Sequence, residues 1–142
     1  MTIKLLIFVA AFVGMEGVAW FTHKYIMHGF LWSLHRSHHE PNKGLEKNDW
    51  FGVFFACIAI ILIYIGFPQM DYYFWLGLGI TAYGFAYFIF HDIIVHQRLN
   101  VKLRQDSAYL KKITRAHKLH HKNMQQQDGK FFGFLFVRGL ND

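Results

Sequence analysis

Three long apolar runs constrain this chain more than any other feature. Ile3–Phe21 is apolar apart from Lys4 and Glu16, Trp50–Phe67 carries no charge, and Tyr72–Phe90 is apolar with glycines at 77, 79 and 84. At about 1.5 Å per residue, each run comes close to crossing a hydrocarbon core of roughly 30 Å. Inside a bilayer the backbone must satisfy itself, so these runs are expected to be helices rather than open strands. The first run has no Ala-x-Ala site and leads at once into histidines, so it reads as a retained span rather than a cleaved signal peptide. Apolar residues make up 54% of the 142 residues and aromatics 19%, which fits a membrane chain better than a soluble one. The expected fold is all-α: an integral membrane helical bundle of about three transmembrane helices with a histidine-rich cap, in one domain over residues 1–142.

Basic residues orient the bundle. The net charge is +6, but the Lys and Arg residues are confined to particular loops, which a membrane explains better than nucleic acid. Residues 22–49 and 91–142 hold 14 of the 15, the turn at 68–72 holds none, and the N-terminal side has only Lys4. The positive-inside rule then makes the 22–49 and 91–142 side cytoplasmic, with the N-terminus outside, in a multi-pass protein of the cytoplasmic membrane. Turn residues Glu40-Pro41-Asn42-Lys43-Gly44 end the first of these segments. Small residues such as the glycines at 77, 79 and 84 let helices approach closely in a bilayer. Glu16 is costly within its run unless paired, and the sequence names no partner. The single cysteine, Cys57, excludes an internal disulfide and a four-cysteine zinc site; it reads as a small buried hydrophobe. A short apolar patch, FFGFLF at 131–136, cannot span; packing against the bundle, or an interfacial or substrate-facing position, are open to it.

The ten histidines fall into two matched blocks. Each block reads His-x4-His and then His-x2-His-His: His23, His28, His35, His38 and His39, then His91, His96, His117, His120 and His121. Both blocks follow spans that exit on the same side. Histidines at i, i+3 and i+4 share a helix face, so His35, His38 and His39 are expected to converge, as are His117, His120 and His121. Positions i and i+5 diverge by roughly 140° on a regular α-helix, so each His-x4-His pair needs a helix end, a bulge or two different metals. Ten imidazoles exceed what one tetrahedral zinc ion uses and suit two iron ions with four or five nitrogens each. Asp92 is placed to accept an N–H from a ligand imidazole and orient it, or to serve as a cap. Trp20, Phe21, Tyr25, Phe30, Trp32, Tyr87 and Phe90 are candidates to line a groove for an apolar substrate. A metal transporter would need polar groups through the spans, where only Glu16 qualifies, and a bis-histidine haem protein would use few of the ten.

The stretches GMEGVAWFTHKYIMHGFLWSLHRSHHEPNKG at 14–44, ILIYIG at 61–66, TAYGFAYFIFHDIIVHQR at 81–98, AHKLHH at 116–121 and FGFL at 132–135 resemble the membrane-bound fatty acid hydroxylase superfamily. HKYIMHG, SHHEP and HDIIVHQR in this order are more specific, and resemble its bacterial β-carotene 3-hydroxylases. A soluble C-terminal extension of some members is missing, beyond the last histidine. The resemblance implies a non-haem di-iron centre ligated by the ten histidines. That centre would use O2 and electrons from a ferredoxin and its reductase to hydroxylate C3 of β-ionone rings. β-Carotene would pass through β-cryptoxanthin to zeaxanthin. A related hydroxylase or ketolase acting on another lipid or ring position is the alternative.

Overall fold

The computed structural model describes residues 2–40, 44–99, 101, 106–127, 129–137 and 139–140. Helix α1 (Thr2–Phe21) runs directly into a π-helical segment, Thr22–Phe30. The short α2 (Trp32–His39) follows, then α3 (Asp49–Gly66) and α4 (Tyr72–Tyr87), which continues into a second π-helical segment, Phe88–Val95. Helix α5 (Ala108–His121) completes the helical part, and no strand occurs among the described residues. Thr2–Phe30, Asp49–Gly66 and Tyr72–Val95 are long and apolar enough to cross a membrane, as the three runs predict. The middle of the Glu40–Gly44 turn, residues 41–43, lies outside the described residues.

The third span is the centre of the bundle, with α4 packed against both α1 and α3. Two glycines on α4 make this possible. A Cβ on Gly77 would stand 2.8 Å from the Ala59 carbonyl of α3, and one on Gly79 would stand 2.6 Å from the Phe8 carbonyl of α1. Gly84 differs from the expectation, because a Cβ there meets nothing within 4 Å. Gly77→Leu is therefore expected to lower the unfolding temperature of the detergent-solubilised protein sharply, since overpacking against backbone typically costs about 1–3 kcal/mol or more. Gly84→Ala should leave that temperature nearly unchanged. The turn between α3 and α4 is tight: Asp71 N–H donates to the Gly66 carbonyl at 3.2 Å, and Asp71 Oδ1 accepts from Tyr73 N at 2.9 Å to cap α4. Cys57 lies on the exposed face of α3 rather than in a core, because α3 packs on α4 alone among the long helices.

Burial is greatest in the cap. The largest side chains with under 2% exposure are Ile113, His35, His91 and His120. The spans present apolar faces outward, as a bilayer allows, and the tightest packing gathers around imidazoles at the ends of α1 and α4.

Candidate metal centre

Each His-x4-His pair sits inside a π-helical segment: His23 and His28 in Thr22–Phe30, His91 and His96 in Phe88–Val95 and its cap. A π-helix bonds residue i+5 to residue i and so brings those positions over one another. His96 N–H donates to the His91 carbonyl at 2.9 Å, and Leu31 N–H donates to the Ile26 carbonyl at 3.0 Å. The bulge required by the spacing is therefore present twice. It turns the two rings of each pair onto one face, with centroids 5.2 Å apart for His23 and His28 and 4.5 Å apart for His91 and His96.

The ten rings form two sets, but not the two sequence blocks. His23, His28, His35, His39 and His120 offer ring nitrogens that all lie within 4.8 Å of one another. So do His38, His96, His117 and His121, and His91 joins them through an Nε2–Nε2 separation of 3.1 Å from His38. The expectation that each His-x2-His-His triplet converges is thus corrected. Helix α2 sends His35 and His39 to one set and His38 to the other, and α5 sends His117 and His121 to one set and His120 to the other. The physical reason is helical phase: i and i+4 differ by roughly 40°, while i+3 lies on the opposite flank, about 100° from i+4. Each short helix therefore serves two sets at once. His39 stacks on His121 at 4.5 Å, so the sets are immediate neighbours.

The hydrogen bonds decide what the first set can hold. His23, His28, His39 and His120 donate their Nδ1–H groups to the carbonyls of Phe132, Gln126, Asn123 and Lys130 at 3.0, 3.0, 3.1 and 2.8 Å. His35 Nδ1–H donates to Asn48 Oδ1 at 2.8 Å. A carbonyl only accepts, so in the four rings paired with one the proton is on Nδ1 and Nε2 carries a bare lone pair. These lone pairs face each other: His23 and His35 Nε2 atoms are 3.1 Å apart, His28 and His120 3.2 Å, His35 and His39 3.2 Å. Clustered lone pairs repel unless a cation lies among them, so this donor set fits a metal ion.

The second set is oriented differently. His38 Nδ1–H donates to Glu46 Oε2 at 2.8 Å, a buried carboxylate in place of a carbonyl. His96 and His117 bring their Nε2 atoms to 2.7 Å, and the buried Nε2 of His121 has no hydrogen-bond partner among the described residues. Such an orphaned buried nitrogen beside three other imidazoles also fits a metal. Burial, reinforced by neighbouring imidazoles, pushes His35 down to about 2 and His39 and His96 to about 3. It pushes His120 to about 4 and holds His117 and His121 well below the ordinary range. Neutral imidazole is the form a metal needs.

A cavity of about 910 Å³ opens between the spans and reaches His23, His91 and His117. Its walls come from α1 at Met15, from α3 at Phe55 and from α4 at Tyr83 and Gly84, with Phe132 and Phe134 at the histidine end. Apolar walls ending at a double set of metal-ready imidazoles make a site for chemistry on a bilayer-soluble molecule.

The sequence pattern of the family described as "Fatty acid hydroxylase" matches residues 8–138. The chain belongs to the fatty acid hydroxylase family. Its sequence is 45% identical over 138 residues to a "Beta-carotene hydroxylase" of Pantoea ananas, covering 96% of this chain and 78% of that one. It is 42% identical to the "Beta-carotene hydroxylase" of Paracoccus sp. (strain PC1), covering 94% and 84%. A plant relative, "Beta-carotene 3-hydroxylase 2, chloroplastic" of Arabidopsis thaliana, is 43% identical over 80% of this chain and 39% of its own length. No solved structure matches the chain.

Asp92 is buried but only loosely placed for the role expected of it, since its Oδ2 is 3.4 Å from His91 Nδ1. Its firmer partner is Arg98, whose Nη1 donates to Asp92 Oδ1 at 2.7 Å and to Asp49 Oδ1 at 2.8 Å. This bridge ties the end of the third span to the start of α3. The aromatic expectation is largely corrected. Tyr87 lines the cavity and stacks on His91 at 4.5 Å, but Trp20, Phe21, Tyr25 and Phe30 are exposed. Trp32 packs on His28 at 5.0 Å, outside the cavity, and Phe90 turns towards Tyr109. Two further aromatics meet the histidines from the FFGFLF patch: Phe132 lies 5.1 Å from His28, and Phe134 lies 5.1 Å from His91. The patch packs on the bundle, fastened by Glu16. Asn48 and Glu46, which orient His35 and His38, carry no pattern in the sequence that marks them.

Proposed function

We propose that this chain is a β-carotene hydroxylase that places hydroxyl groups at C3 of the two β-ionone rings, giving zeaxanthin through β-cryptoxanthin. The observation that carries this reading is the apolar cavity ending at two five-histidine sets, in a chain whose relatives bear that name over most of its length. His23, His28, His35, His39 and His120 would hold one iron ion, and His38, His91, His96, His117 and His121 the other. Five neutral nitrogens per ion favour iron over four-coordinate zinc and leave a position open. Iron bound there supplies O2 activation.

The chain's own residues do the rest. The cavity walls admit an apolar ring from the bilayer and bring it to the histidine end. Phe132 and Phe134 cover the imidazoles and keep bulk water from the reacting carbon. The Arg98 bridge closes the cavity on the polar side, where Asp49 and Arg98 line it. Electrons would come from a ferredoxin and its reductase. Helix α5 backs this reading, with Lys111, Lys112, Arg115 and Lys118 exposed and no acidic residue in the helix. The histidine side is assigned to the cytoplasm by the distribution of basic residues, with the protein in the cytoplasmic membrane.

Expression in a β-carotene-producing host tests the reaction. Zeaxanthin is expected from the parent and none from an equally expressed His120→Ala variant, read by pigment chromatography and mass. Unchanged β-carotene from a well-expressed, iron-loaded parent with a competent ferredoxin system would refute it. A different oxygenated product would point to the ketolase or other-lipid reading.

A further inference from the structure

Glu16 lies two turns before His23 on the first span, and the i, i+7 spacing puts both on one helix face. Its carboxylate is fully engaged. Oε1 accepts from the backbone amides of Phe134 at 2.8 Å and Phe136 at 2.9 Å, and Oε2 accepts from the Tyr83 hydroxyl at 2.7 Å. One side chain thus clasps residues 132–136 to the first and third spans. The same segment then runs back beneath the first histidine set. Phe132 supplies the carbonyl for His23, and Lys130, Gln126 and Asn123 supply those for His120, His28 and His39. Further along, Gln126 Nε2 donates to the Gly29 carbonyl at 2.6 Å, where the first π-helical segment breaks. The second set takes no such carbonyl from this segment among the described residues; its fixed ring, His38, leans on Glu46.

We propose that Glu16 is a positioning residue for the first metal set alone, acting through the 123–136 segment whose carbonyls fix the imidazole protons of His23, His28, His39 and His120. The proposal rests on the metal reading above. It makes the two sets unequal: releasing the clasp removes the carbonyl partners of four of the five rings around one ion, whereas the other set keeps its Glu46 bond and loses only the ring packing of Phe134 on His91 and His117.

Cobalt(II) binding to the purified, detergent-solubilised full chain is the test, read by metal per chain and by visible ligand-field spectra. The parent is expected to bind about two ions and Glu16→Leu about one. Glu16→Gln should bind about two, because a single amide oxygen still serves both backbone amides. Gly133→Val provides a second route that keeps the Glu16 side chain itself, since a Cβ at Gly133 would stand 2.8 Å from the Phe136 carbonyl and 3.4 Å from Glu16 Oε1 and push the segment away. It should also bind about one. The ion that remains in Glu16→Leu should disappear when His38→Ala is added and persist when His39→Ala is added. Two ions in Glu16→Leu, simultaneous loss of both from a protein with parental helical content, or loss of the remaining ion through His39→Ala would each overturn the proposal. A parent that binds no metal would instead overturn the reading beneath it.

Discussion

A His38→Ala/His117→Ala double variant is expected to keep about one metal ion per chain, whereas His35→Ala/His38→Ala keeps none. The first pair is separated by 79 positions in the sequence, but both rings belong to the set around His96 and His121. The second pair sits in one His-x2-His-His motif, and each ring belongs to a different set. If the motifs were the units of ligation, the outcomes would be reversed. Metal analysis of the purified variants therefore decides between grouping by motif and grouping by helical phase. Hydroxylation should fall in every single ligand variant by more than the 10- to 100-fold typical of losing an outer orienting group, to below about 1% of the parent. The doubles should be no worse than the singles, because groups acting as one unit lose their function together. A double variant with far less activity than either parent single would argue that the two sets work independently.

The same crossover marks where the sequence stops being readable. Spans are legible because length and hydropathy set them: Ile3–Phe21, Trp50–Phe67 and Tyr72–Phe90 each begin within one residue of the helical segments observed, and the first and third segments run on to Phe30 and Val95 through their π-helical turns. The convergence of ten histidines is legible because the two blocks follow the first and third apolar runs, which places them at one end of the helical bundle. The i+5 spacing even announces that a regular helix cannot serve, and the π-helical segments answer it. Which ring joins which set depends on the relative rotation of α2 and α5, which neither helix encodes alone. The orienting acceptors are harder still. Four are backbone carbonyls in residues 123–132, and a carbonyl has no residue type to recognise. Glu16 stood out as a costly charge, but two of its three partners are backbone amides and equally invisible. Asn48 and Glu46 look like ordinary polar residues before α3 and acquire meaning only when α2 folds beside them.

Lowering the pH is expected to dismantle the metal-free cap between about pH 6 and pH 4 while leaving the three spans helical. The sign follows from the direction of the shifts. Burial holds His35 at about 2, His39 and His96 at about 3 and His120 at about 4 in the folded protein. The unfolded chain titrates near 6.5. Above that value neither state binds these protons and stability does not depend on them. Below it the unfolded state takes up protons that the folded state refuses, so stability falls steadily as pH drops towards the folded values. Each such histidine contributes a slope of about 1.4 kcal/mol per pH unit, and four together give roughly 5 kcal/mol per unit. Against a total stability of about 5–15 kcal/mol, about one to three units of acidification suffice. Bound metal requires the same neutral rings, so the loaded protein should resist to a lower pH than the metal-free form. Near-ultraviolet dichroism of Trp32, which packs on His28, His35 and His39, follows the cap, and far-ultraviolet dichroism follows the spans. The steepness should correspond to an uptake of about four protons. A transition involving about one proton, or a midpoint above 6.5, would falsify the assignment of these four imidazoles as buried and neutral.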